Sequence, residues 1–320
     1  MNRLEVLAPD GVPEVRDGDD VAALLLAALE REQVALLDGD VVVVTSKVVS
    51  KAEGRVRRGE RDEALAAETV RVVARRGPTT IVRTRHGLTM AAAGIDASNV
   101  ELGSIVLLPE DPDASARALR AALQERTGRT VGVVVTDTAG RAWREGQTDL
   151  AVGAAGLLVA EDYAGRTDPH GNPLAVTAPA VADEIAGAAE LAQGKLAGRP
   201  FAVVRGRADL VLPPGEAGPG AVALVRAEGG DLFGYGAREA VVRALAGDPA
   251  DRTPFGAAAD PQELAAALAA VSDAEVHPDG DDLVVTGADP AVLAALAYAH
   301  GWTTRAGDSA VAARLTPVGP

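Results

Sequence analysis

The chain has 320 residues, with 31 Lys+Arg against 46 Asp+Glu, a formal net charge of −15. Acidity on this scale argues against nucleic acid and anionic membranes as partners, since both require a basic face. No cysteine occurs, which removes disulfides, thiolate metal sites and cysteine nucleophiles together.

The opening segment MNRLEVLAPDGVPEV is broken by acidic and proline residues before any apolar core forms, unlike a secretory signal. No uncharged apolar run of about 18 residues follows. A cytoplasmic location with no membrane span is expected. DVAALLLAALER at 20–31 predicts an amphipathic helix capped by the acidic turn before it. Val41 to Val44 are four consecutive β-branched residues, the pattern of a strand buried on both faces. A charged helix is expected over 62–76 and a strand over 79–85. DPDAS opens a helix over about 112–126, with Asp113 or Ser115 as its cap. TVGVVVTD at 130–137 and FAVVRGR at 201–207 predict two more buried strands, flanking an alanine-rich helix over 180–194. LPPGEAGPG at 212–220 reads as a flexible connection. A helix near 237–246 closes a main body of residues 1–250. Residues 251–320 then form a small α/β appendage, with two helices that each start at Asp-Pro and a hairpin turned at Asp-Gly between them.

Three segments carry candidate chemistry. The chain holds only three lysines, Lys47, Lys51 and Lys195, and uses arginine elsewhere. Two of the three lie in TSKVVSKAEGR, directly after the buried strand, with Ser46 and Ser50 beside them. A compact ammonium and hydroxyls at a strand end suit phosphate oxygens, although the segment is also what a polar loop looks like. AAAGIDASNV places Asp96 and Asn99 three apart, as hard oxygen ligands for Mg²⁺ or Mn²⁺ or as an Asx turn. VVVTDTAGRAWREGQTD puts Asp137 and Thr138 at the end of a core strand, where a carboxylate and a hydroxyl can hold Mg²⁺ against nucleotide phosphates or cap a turn. Arg141 and Arg144 follow as possible anion-binding residues, and Trp143 reads as packing. DLFGYG at 231–236 is expected to pack two rings under a helix, and DPHGN at 168–172 to form a turn. The four histidines lie far apart, which argues against a histidine zinc site.

Taken in order, VPEV, DGDVVVVTSKVVSKAEGR, AGIDASNV, LLPEDPDASA, VVVTDTAGRAWREGQTD and VADEIAGAAELAQGKLAGRPFAVVRGR resemble the coenzyme F420-0:γ-glutamyl ligase family, including the ligase half of its bifunctional actinobacterial members. The resemblance runs from about residue 4 to residue 246. It implies an α+β fold, an intertwined two-lobed body with mixed sheets, pairing as a homodimer. It implies GTP-dependent ligation of L-glutamate to the lactyl carboxylate of F420-0 through an acyl phosphate, then γ-linked tail extension, with GDP and phosphate released. By motif, Asp96, Asp137 and Thr138 are the implied ligands of two divalent ions, Mg²⁺ or Mn²⁺. Val12, Pro13, Glu14, Val15, Ser46, Lys51 and Asn99 are the implied GTP contacts. Lys51 and Asp137 are the implied catalytic pair, and K⁺ is a further implied ion. The family varies at Lys47. The bifunctional members continue into a flavin-binding reductase domain, for which the carboxyl end here is too short, so no FMN is expected. Two other readings fit the same motifs: a γ-glutamyl ligase acting on another carboxylate acceptor, and a non-catalytic nucleotide- or metal-binding module. Intact Asp96, Asp137, Thr138 and Lys51 speak against the module.

Overall fold

The computed structural model describes residues 3–59, 61–227, 229–231, 233–306 and 312–318. It divides into two compact units, one of residues 1–72 and 77–225, the other of 73–76 and 226–320. The fold is mixed α and β, with several sheets.

Strand β1 (Glu5–Leu7) precedes helix α1 (Val21–Arg31), whose N-terminus is capped as the acidic turn predicts: Asp20 accepts the Ala23 N–H at 3.0 Å. Strand β2 (Val41–Thr45) passes without a loop into helix α2 (Ser46–Ala52), so the basic segment is helical and not a loop. Strand β3 (Val56–Arg58) and helix α3 (Arg61–Glu68) come next, then strand β4 (Thr69–Arg76). The single helix expected over 62–76 is thus split. RDEALAAE is rich in helix formers, whereas TVRVV brings β-branched side chains that favour a pleated backbone. Strands β5 (Thr79–Thr84), β6 (Thr89–Ala91) and β7 (Ser104–Val106) lead to helix α4 (Pro112–Thr127). Its cap is Asp111, which accepts the Ala114 N–H at 2.9 Å, and not Asp113 or Ser115. Pro112 occupies the first helical position, where its missing N–H is harmless, and this puts the cap at Asp111, two residues before Asp113. Strands β8 (Gly132–Arg141) and β9 (Arg144–Ala155) form a long hairpin, followed by helix α5 (Val181–Gln193) and strand β10 (Phe201–Arg205).

The main sheet has the order β1-β10-β2-β8-β9, with β2 and β8 parallel and every other neighbour antiparallel. Val41 to Val44 lie in its centre and are fully buried, as their run predicts. Alternation divides them between two apolar layers. Val42, Val44, Val133 and Val135 face α1, α2 and α4, while Val41, Val43 and Val134 face α5.

The segment 212–220 is held in place, contrary to the flexible connection expected. Arg120, only 7 % exposed on α4, donates to the carbonyls of Leu212 (2.7 Å), Pro213 (3.0 Å) and Glu216 (2.6 Å), and to Val131 O at 2.8 Å. Gly156, at φ +64°, makes room for it, since a Cβ there would lie 1.9 Å from Arg120 Nε. Arg120→Met takes the guanidinium donors from four carbonyls, of which that of Val131 belongs to a buried residue, and a loss of about 1–3 kcal/mol is expected in urea unfolding. A midpoint equal to wild type would mean that the segment is held by other contacts.

Besides residues 73–76, the second unit takes in everything from Arg226 onward, so residue 250 falls inside it and helix α6 (Ala237–Ala246) belongs to it. Helix α7 (Pro261–Ala269), strands β11 (Glu275–Asp279) and β12 (Asp282–Thr286), helix α8 (Pro290–Ala299) and strands β13 (Trp302–Ala306) and β14 (Ala312–Pro317) complete it. Asp260 and Asp289 cap the two Asp-Pro helices, and β11 and β12 form the expected hairpin. The sheet order is β11-β12-β14-β13. Leu264, Leu268, Leu283, Leu293, Trp302 and Leu315 give this unit its own core. Tyr235 packs on Phe255 with ring centroids 5.1 Å apart, as expected of a ring in DLFGYG, while Phe233 is 58 % exposed. Leu232 of that motif lies outside the described residues. Among the described residues, no helix is long and apolar enough to cross a membrane.

Candidate functional site

The parallel register of β2 and β8 sets the site. Thr45 lies level with Thr136, which brings the next residues, Ser46 and Asp137, side by side at the carboxyl ends of both strands. Ser46 Oγ donates to Asp137 Oδ1 at 3.1 Å. Asp137 forms no ion pair among the described residues. Burial pushes its carboxyl up to about 7, and the nearby charges of Asp149 and Asp96 push in the same direction.

Asp96 is placed by backbone pairing, because its N–H and C=O bond to Val106 of β7 at 3.0 and 2.8 Å. Its side chain makes the Asx turn: Oδ1 accepts the Ser98 N–H at 2.7 Å and Oδ2 accepts the Ser98 hydroxyl at 2.9 Å. Lys47 Nζ lies 2.6 Å from Asp96 Oδ2 and donates to Ser98 Oγ at 2.7 Å. The hydrogen bonds from Lys47 and Ser98 outweigh burial and hold the Asp96 carboxyl below the usual range.

Lys51 is 9 % exposed and donates to the Asn99 backbone carbonyl at 2.7 Å and to Glu14. Asn99 stands in the left-handed region at φ +54°, which turns that carbonyl toward the ammonium. Within the expected GTP-contact segment, Val15 is buried in the same apolar cluster as Val48 and Val49, Val12 packs against that cluster, Pro13 is exposed, and Glu14 reaches Lys51. Ser50 Oγ is buried without a partner.

Thr138 points away from Asp137, as neighbours on a strand must. Its hydroxyl donates to Asp149 Oδ1 at 2.7 Å and accepts from Lys195 Nζ at 3.2 Å. Thr136 donates to Asp149 Oδ2 at 2.9 Å. The three expected metal ligands therefore divide, with Asp96 acting on Asp137 toward α2 and Thr138 turned toward α5. Arg141 and Arg144 are not brought together with them. They flank the exposed hairpin turn, about 13 Å along the strand from Asp137 at ~3.3 Å per residue, and Arg141 Nη2 donates to Glu145 O at 3.4 Å. Trp143, expected to pack, is 87 % exposed in that turn.

Sequence reading missed Asp149, Ser98 and Lys195 as members of this constellation. For Lys195 the signal was its rarity, since it is one of three lysines in the chain and its ammonium reaches Thr138. Asp149 needed the hairpin register, which sets it opposite Thr138.

Among the described residues, no three His, Cys, Asp or Glu side chains form a cage for a metal. The donors present are a half-buried carboxylate with no ion pair among the described residues, a second carboxylate near it and nearby hydroxyls. That set fits a hard divalent ion, which keeps several waters and takes phosphate oxygens to complete its shell. Gln193 Nε2, buried without a partner at the end of α5, is a further polar group on the Lys195 side.

A family model described as F420-0:Gamma-glutamyl ligase matches residues 11–206. The coenzyme F420:L-glutamate ligase of Archaeoglobus fulgidus is 43 % identical over 224 residues, covering 64 % of this chain and 88 % of the relative. Its counterpart in Methanothermobacter thermautotrophicus is 39 % identical over 224 residues, covering 63 % and 89 %. That of Haloarcula marismortui is 43 % identical over 229 residues, covering 63 % and 87 %. The matched stretch contains β2, α2, β8 and α5, and with them every group gathered around Asp137 and Thr138; by that match the chain belongs to the F420-0:γ-glutamyl ligase family.

Proposed function

We propose that this protein ligates L-glutamate to the lactyl carboxylate of F420-0 at the expense of GTP and then extends a γ-linked tail. A carboxylate oxygen of F420-0 takes the γ-phosphoryl group and GDP leaves. The amine of glutamate then attacks the acyl carbon, phosphate leaves and the amide forms. The observation that carries this reading is the convergence of Ser46, Asp96, Asp137 and Lys51 at one pair of strand ends, in a chain of this family.

Lys51 is the group that meets phosphate in this reading. Its ammonium is held by the Asn99 carbonyl and by Glu14, which is 67 % exposed and free to yield to a stronger anion. Val12, Pro13, Glu14, Val15, Ser46 and Asn99 complete the GTP contacts. Asp96, Asp137 and Thr138 would hold the two divalent ions, Mg²⁺ or Mn²⁺. Bound there, these ions neutralise triphosphate charge that an acidic protein does not itself offset. The two-lobed, intertwined body and the homodimer belong to the same reading, as does a requirement for K⁺.

The test is to incubate the protein with F420-0, L-glutamate, GTP, K⁺ and Mg²⁺ or Mn²⁺. GDP release and products heavier by one or more glutamyl groups are expected. GDP formed without a glutamate-dependent product would overturn the reading.

A further inference from the structure

Resting on the ligase reading, we infer that Asp149 is a positioning residue that fixes which side of the Thr138 hydroxyl faces the site. Asp149 is 5 % exposed and forms no ion pair among the described residues. Its carboxylate oxygens accept one hydroxyl each, Thr138 at 2.7 Å and Thr136 at 2.9 Å, and its backbone N–H donates to Glu190 Oε2 at 3.3 Å. A buried carboxylate answered only by neutral donors is an unfavourable arrangement for folding alone. Its chemistry has one clear consequence.

In this geometry both carboxylate oxygens of Asp149 act as acceptors. Each threonine must therefore spend its single proton on Asp149, and the lone pairs of Thr138 are left facing outward. Lys195 marks that direction, because its ammonium is a pure donor and lies 3.2 Å from Thr138 Oγ1. The oxygen is thus presented as an acceptor to any cation. Asparagine at 149 would bring an NH₂ group that donates to one of the two hydroxyls and forces its proton to turn outward. Thr136 is fully buried and Thr138 is the hydroxyl that Lys195 reaches, so a reversal at Thr138 is the one felt outside the protein interior.

The test uses the full chain, with Mn²⁺ alone as the probe in calorimetric titration. Asp149→Asn should weaken Mn²⁺ binding by about 10–100-fold, as loss of a partner behind a metal ligand does, while its melting temperature stays within about 2 °C of wild type. Should that variant fail to fold, Thr138→Val and Thr138→Ser decide without touching Asp149: the valine variant should show the same loss and the serine variant should restore affinity. Equal Mn²⁺ affinity in wild type, Thr138→Val and Asp149→Asn overturns the inference, as does a wild type that binds no Mn²⁺. These outcomes are separate from the failure of the ligase reading, which would show as a wild type that binds Mn²⁺ but forms no glutamylated product.

Discussion

Asp137→Asn is expected to lower ligase turnover about 10³-fold while raising the melting temperature of the metal-free protein at pH 8. The first effect follows from removing the one carboxylate at the centre of the strand-end constellation; losses of this order accompany loss of a single preorganised electrostatic group. The second follows from the sign of its pKa shift. Burial pushes the Asp137 carboxyl up to about 7, so the native protein holds this proton at pH values where the unfolded chain has released it. Stability is therefore lost as the pH rises from about 4 to 7, and above 7 the ionised group destabilises the fold without a cation. The pKa difference alone sets a ceiling of about 4 kcal/mol, and solvent at this half-buried carboxyl reduces it to about 1–2 kcal/mol. In EDTA at pH 8 the variant should melt about 4 °C higher, with a smaller gap at pH 5, and below about pH 4 the two proteins should melt together. A lower melting temperature with turnover retained would mean that Asp137 serves the fold and not the chemistry.

The central layers of the fold were legible because their signals are local. Four valines in a row have no polar face, so β2 had to be interior. Asp20 and the two Asp-Pro pairs announced their helices. What was not legible depends on partners distant in sequence. The 212–220 run looks flexible from its glycines and prolines, yet Arg120, almost a hundred residues earlier, holds its carbonyls. The split of the 62–76 helix is a different failure, in which arginines masked a run of β-branched residues.

The same contrast governs the site. Motif reading singled out Ser46, Asp96, Asp137, Thr138 and Lys51; in the structure they enter separate contacts, Ser46–Asp137, Lys47–Asp96 and Lys51–Asn99, while Thr138 bonds Asp149 and Lys195. It did not foresee that Asp137 and Thr138 would turn to opposite faces, although strand alternation requires it. Nor did charge logic separate Arg141 and Arg144 from the site. Both follow Asp137 closely in sequence, but an extended hairpin carries them away at ~3.3 Å per residue.

Lys51→Met is expected to raise the KM for GTP about 100-fold and leave the KM for F420-0 within about twofold. Methionine keeps the length of the buried stem and removes only the ammonium, so packing changes little. One charge-assisted hydrogen bond to a phosphate is worth about 1.5–3 kcal/mol, roughly one to two decades, and Lys51 offers more than one donor. Folding should be nearly unaffected, because its ionic partner Glu14 is exposed and regains water when the pair is broken. Lys47 provides the comparison. Its ammonium sits on Asp96, so Lys47→Met should leave the KM for GTP within about threefold and act on metal affinity, by freeing a carboxylate that the lysine now occupies. Mn²⁺ binding to Lys47→Met should then tighten, whereas Lys51→Met should bind Mn²⁺ as wild type does. Equal increases in the KM for GTP in both variants would show that the two ammonium groups act only as a diffuse positive field, and the division of labour between phosphate and metal would have to be abandoned.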